Sequence, residues 1–205
     1  MMNTKYLLYA GSSIPIIFWL TTIICGFIQG DYNHFTRMVS ELGTIGTKSQ
    51  YVFTTGLVLC SALSIAFVLG LNRVCKESGI SAIPAIVILS FSVSIAGAGI
   101  FPLPLRLHLY MGMPSILLIF SPLVSLFLWN RKGQLSNFYL MTILSLLIMS
   151  LGFLAFMPDV LNSSIGIKQR FFHIGWSVWF FYLSYSFTRL LEKESVKDNK
   201  YAHRY

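Results

Sequence analysis

The stretch Tyr6-Leu-Leu-Tyr-Ala-Gly-Ser-Ser-Ile-Pro-Ile-Ile-Phe-Trp-Leu-Thr-Thr-Ile-Ile-Cys-Gly-Phe-Ile-Gln29 contains no charged side chain. As a helix it would extend about 36 Å, enough to cross a hydrocarbon core of about 30 Å. Its length exceeds the apolar core of a secretion signal and it lacks a small-x-small cleavage site, so it reads as a first membrane span. Similar runs recur at 51–71, 80–101, 107–129, 138–158 and 171–191. With 55% hydrophobic residues, 11% charged residues and a mean hydropathy of +0.70, the composition excludes an ordinary soluble domain, in which about a quarter of residues are charged. The expected fold is all-α: a polytopic integral membrane bundle of six transmembrane helices, followed by a charged cytoplasmic tail over 192–205 that lacks apolar periodicity and is expected to be irregular or interfacial.

The formal net charge of +8 would point to nucleic acid in a soluble chain. Here the basic residues fall between the apolar runs and report orientation instead. Lys5, Arg73, Lys76, Arg131, Lys132, Arg189, Lys193, Lys197, Lys200 and Arg204 share one side. Arg37, Lys48, Arg106, Lys168 and Arg170 share the other. The richer side is expected to be cytoplasmic and to hold both termini, with the chain in a cell membrane of bacterial inner-membrane type and the bilayer as its principal partner. Cys25, Cys60 and Cys75 are scattered without metal-binding spacing and read as small packing residues. So do Gly56, Cys60 and Ser64, and Ser90, Ser94 and Gly97, whose spacing lets helices approach closely in lipid.

Polar chemistry gathers at the opposite, outer boundary. The loop after the first run, Asp31-Tyr-Asn-His-Phe-Thr-Arg-Met-Val-Ser-Glu-Leu-Gly43, brings together Asp31, His34, Arg37 and Glu41. Its part Phe35–Leu42 has the pattern of a short interfacial helix. Arg106 and His108 open the fourth run, and Gly112 and Ser115 share the face of His108. Asp159 closes the fifth run. Arg170 and His173 open the sixth, with Ser177, Ser184 and Thr188 continuing that stripe. Pro102-Leu-Pro104 forces a tight outer turn, and Pro114 and Pro122 are expected to kink the fourth span. Ionisable residues at membrane depth are costly and tend to face a cavity, although long side chains at the boundary can also reach water.

Several chemistries fit these residue types. Zinc would draw on His108, His173 and Glu41 or Asp159, but no HExxH pair is present. A bis-histidine haem would need His108 and His173 at equal depth on facing helices. Ser40 would be the nucleophile of a hydrolytic arrangement, without the elbow motif that usually presents one. An anionic headgroup held by Arg106, Arg170 and the two histidines requires the least special geometry.

Ser40-Glu-Leu-Gly43, Gly99-Ile-Phe-Pro102 with His108, and Gly166 with Gln169-Arg170 and Trp176 resemble the six-span membrane family known as domain of unknown function 998. The resemblance covers nearly the whole chain and implies the same helical membrane fold. It raises Glu41 and His108 above their neighbours. Where that family often carries an acidic residue after Phe-Pro, this chain has Leu103-Pro104.

The resulting expectation is an outward-facing polar pocket that binds or processes a lipid-like or amphiphilic molecule. Glu41, His108 and His173 would form its chemical centre, and Ser40, Arg106, Asp159, Arg170 and Trp176 its binding groups. Glu41 is expected to pair with His108, Arg106 or Arg170. No resident metal is assigned. The alternatives are a non-catalytic accessory or packing subunit and, more weakly, a haem or metal protein.

Overall fold

The computed structural model describes residues 3–129 and 135–202, and each apolar run is helical, with no strand among the described residues. Helix α1 (Thr4–Gln29) starts at Asn3, whose side chain accepts a hydrogen bond from the Lys5 amide. It stops at Gly30, which adopts φ +83°, a left-handed conformation open to glycine. Helix α2 (Gln50–Glu77) returns. The third run is α3 (Ile83–Val87) and α4 (Leu89–Ile100), joined through Ile88.

The fourth run is divided into α5 (Arg106–Gly112), a 3-10 helix (Met113–Ile119) and α6 (Phe120–Leu128). Pro114 and Pro122 cannot donate to an α-helical ladder, and the backbone tightens into 3-10 winding over Met113–Ile119. The Gly112 carbonyl in this break accepts from the Ser94 and Ser115 hydroxyls, each at 2.7 Å. Such local partners make irregular backbone tolerable at membrane depth. Helix α7 (Phe138–Leu151) also tightens into a 3-10 turn (Gly152–Phe156), and α8 (Ile165–Ala202) completes the bundle.

Successive rods pack side by side, and α8 closes against both α7 and α1. Helix α8 also fills the middle. Trp176 stacks near Phe91 of α4 at 4.8 Å, Phe180 lies 5.8 Å from Phe67 of α2, and Trp179 donates to Ser121 Oγ of α6 at 2.9 Å. Trp179, Phe180, Leu183 and Phe187 are fully buried. Small residues make these approaches possible: a Cβ on Gly56 would strike Thr21, and one on Gly175 would strike the Met149 backbone. Around the outside, Ile16, Leu20, Leu59, Leu69, Val93, Leu117, Leu140 and Leu147 are exposed. A continuous apolar exterior of this kind requires lipid.

Among the described residues, five segments are long and apolar enough to cross a membrane: Thr4–Gln29, Gln50–Glu77, Ile83–Ile100, Arg106–Leu128 and Phe138–Phe156. Helix α8 is less apolar, with His173, Ser177, Ser184 and Ser186 along its length. It can carry them because so much of its surface meets protein. Ser184 Oγ, for example, donates to the Leu8 carbonyl.

Two local expectations are corrected. The tail is helical as far as Ala202, where α8 ends, so the irregular reading does not hold over 192–202. The outer loop forms no helix over 35–42: the Asn33 side chain captures the amides of Phe35 and Thr36, producing a turn, and a 3-10 helix follows only at Val39–Gly43. The basic residues Arg131, Lys132 and Arg204 lie outside the described residues.

Candidate functional site

The outer-loop sequence folds back over the bundle, with Val39, Leu42 and Gly43 buried. Tyr32 anchors it from below. The phenol donates to the Arg37 or Met38 carbonyl, at 3.1 and 2.8 Å, and accepts from Arg170 Nη2 at 3.0 Å. Burial raises the Tyr32 pKa above its ordinary value. Arg170 Nη1 donates to the carbonyls of Arg37 (3.1 Å) and Gly166 (2.9 Å), and Nη2 also meets His34 Nδ1 at 3.0 Å. Because a guanidinium can only donate, His34 Nδ1 is the acceptor and its ring proton resides on Nε2. Burial, then the charge of Arg170, lowers the His34 pKa from its usual value.

Two further contacts fix this loop to the start of α8. Gln169 Oε1 accepts from the Val39 amide at 2.7 Å, and the Phe35 carbonyl accepts from the Ile167 amide at 3.1 Å. Gly166 lets them form, since a Cβ there would lie 2.5 to 2.7 Å from the carbonyl oxygens of Arg37, His34 and Phe35.

Beneath the loop lies a cavity of about 160 Å³. Phe18, Phe53, Phe91, Phe172 and Trp176 supply aromatic walls, and Ser40, Ser94, His108, Ser115, Gln169 and His173 supply its polar surface. His108 Nδ1 lies 2.9 Å from the Phe101 carbonyl at the end of α4. A carbonyl only accepts, so Nδ1 carries the proton and a neutral ring leaves Nε2 as a free acceptor. His173 is packed edge-on against Phe18 at 4.8 Å, and its buried Nδ1 has no hydrogen-bond partner.

The structure therefore brings Ser40, His108, His173 and Trp176 to one cavity from three separate parts of the chain: the outer loop, α5 and α8. It does not bring the other expected groups there. Glu41 pairs with Arg37, not with His108, Arg106 or Arg170: its Oε2 accepts from Arg37 Nε at 2.8 Å and its Oε1 from the Met38 amide at 2.8 Å. The i,i+4 partner is simply nearer. Arg170 holds the loop. Arg106 is exposed, because two residues of helix rotate it about 200° away from His108. Asp159 is exposed in the turn before α8.

The residues not anticipated from sequence are the loop anchor Tyr32, the phenylalanine walls and Lys168; His34 and Gln169 were singled out without their role in holding the loop. Lys168 is 1% exposed and donates to the Met157 carbonyl at 2.8 Å. Gln169 was visible as a polar residue one turn before His173. The phenylalanines gave no signal among so many apolar neighbours. Among the described residues, no group of three or more His, Cys, Asp and Glu side chains is placed to hold a metal ion.

No curated protein and no solved structure matches the chain. A family described as "Protein of unknown function (DUF998)" matches residues 14–186, which include every residue of the cavity and at least part of every apolar run. The chain belongs to the DUF998 family.

Proposed function

We propose that this membrane protein binds a lipid-like or amphiphilic molecule, one end of which enters the cavity beneath the Asp31–Ser49 loop. Six helices would cross the membrane with both termini cytoplasmic, opening the cavity toward the outer face of a bacterial inner membrane. The basic residues support that orientation, ten on the terminal side against five on the loop side.

The observation that carries the binding reading is the meeting of His108 and His173, sixty-five positions apart, at one aromatic-walled cavity where His108 Nε2 is left free. A cavity of about 160 Å³ is close to the roughly 150 Å³ that accommodates benzene. It admits the end of an amphiphile and leaves the remainder along the apolar exterior. A haem macrocycle would not fit. His108 Nε2 would accept a hydrogen bond from the ligand, or its proton if the molecule is processed. Arg170 and Glu41 would act through the loop as positioning residues.

The test is thermal unfolding of the purified chain in micelles with a panel of amphiphiles of graded chain length. A ligand at a hundred times its Kd should add about 2.7 kcal/mol to stability. Gly112→Leu should remove that gain by filling the cavity, starting from a Cβ position that meets no heavy atom within 4 Å, and its unliganded melting temperature checks that the fold is kept. Absence of stabilisation by every amphiphile would overturn the reading in favour of an accessory subunit.

A further inference from the structure

The cavity has polar surface without charge. Among the described residues, no Lys, Arg, Asp or Glu lines it. The charged residues next to its lining in sequence are committed elsewhere: Glu41 to Arg37, Lys168 to the Met157 carbonyl, and Arg170 to the loop.

The remaining hydrogen-bonding capacity is mixed and uncharged, and Ser40 adds a hydroxyl that can donate or accept. Ser94 and Ser115 both give their protons to the Gly112 carbonyl, and His108 gives its Nδ1 proton to Phe101. Each is left with lone pairs. Gln169 Oε1 is occupied by the Val39 amide, which leaves the Gln169 amide hydrogens as donors. A matching ligand group is neutral, brings a proton to these acceptors and can accept one hydrogen bond in return.

We infer that the cavity recognises a hydroxyl-terminated apolar chain and discriminates against carboxylates and ammonium groups. This rests on the binding function proposed above. A carboxylate has no proton to give to Ser94, Ser115 and His108, and among the described residues no cation lines the site to balance its charge. An ammonium could donate, but no carboxylate lines the site. A hydroxyl satisfies both requirements, and the aromatic walls cover the methylenes behind it.

The experiment uses the full chain in phosphatidylcholine vesicles and three photoreactive probes of equal length: dodecanol, dodecanoate and dodecylammonium, each with a diazirine at the same carbon. Their membrane-bound concentrations are matched, and labelled peptides are identified by mass spectrometry. The alcohol should label peptides containing Gly112–Ser115 or Phe172–Trp176, reaching half-maximum at a concentration on the order of a hundredfold below either charged probe. Gly112→Leu should abolish this labelling, and His108→Ala should weaken it by about five- to tenfold. The comparison among probes in the unsubstituted protein decides the matter even if His108→Ala fails to fold. Equal or stronger labelling by dodecanoate or dodecylammonium would overturn the hydroxyl assignment and leave the binding function standing. Labelling of these peptides by none of the probes would overturn both.

Discussion

Replacing Gly166 with alanine should destabilise the protein although it replaces a poor helix former with the best one. Within a helix that exchange ordinarily stabilises by about 0.5–1 kcal/mol. At Gly166 the new Cβ would lie 2.5 Å from the Arg37 carbonyl oxygen and 2.7 Å from those of His34 and Phe35. All three are backbone atoms, so the loop must move as a unit. The displacement would stretch Ile167 N–H to Phe35, Arg170 to Arg37 and Val39 N–H to Gln169, now 3.1, 3.1 and 2.7 Å. Losing two such bonds at about 1 kcal/mol each, with overpacking strain of similar size, gives a net loss of about 2–3 kcal/mol after the propensity gain. Denaturant titration in micelles measures this, with Gly112→Ala as the control because its Cβ enters open space. If both variants unfold within about 0.5 kcal/mol of each other, the backbone seam between loop and α8 does not carry the stability assigned to it.

The loop seam should also respond to pH. His34 has a folded pKa below its ordinary 6.5, so the unfolded chain binds the extra proton first. Its contribution is complete above about pH 6.5 and is lost as pH falls toward the folded value. Protection factors of the Phe35–Val39 amides, corrected for intrinsic exchange, should therefore fall below that pH in the unsubstituted protein, and His34→Gln should flatten the dependence. Glu41→Gln should cost about 1 kcal/mol through its Arg37 pair and its Met38 cap, whereas Asp31→Asn should be nearly neutral since Asp31 is exposed and 3.9 Å from Arg37. A double-mutant cycle should couple Glu41 to Arg37 and leave Glu41 additive with His108; the reverse would contradict the observed pairing. Lys48→Cys should react with an impermeant maleimide from outside intact cells, read against the native cysteines, all of which are buried. Reaction only after permeabilisation would invert the orientation.

Hydropathy was sufficient to locate the helices because lipid leaves the backbone few alternatives. The face shared by His108, Gly112 and Ser115 was legible for the same reason: helical periodicity is local. The partners of the loop were not. Whether Glu41 turns toward a distant histidine or toward Arg37 depends on where the backbone places the loop, although the i,i+4 spacing of Arg37 and Glu41 was itself a signal that favoured the nearer arginine. Arg106 and Arg170 looked equivalent, each shortly before a histidine at the start of a span. Only the docked loop distinguishes them, by offering carbonyls to Arg170 and nothing comparable to Arg106. The helical continuation after Leu191 was hidden because charged residues without apolar periodicity carry little information about backbone order.

The placement of α8 has a consequence for biogenesis. It follows the other helices in the chain, yet its aromatic residues occupy the middle of the bundle, and its serines and His173 make it the least willing to enter lipid alone. Insertion of α8 should therefore depend on the earlier helices, which offer it protein contacts in place of acyl chains. Until it arrives, Phe67, Phe91 and Ser121 lack their partners, and the cavity lacks the wall formed by Gln169, Phe172, His173 and Trp176. A nascent chain halted before Ile165 would be membrane-embedded but siteless, exposing an aromatic cleft by which quality-control proteases could distinguish it from the finished molecule.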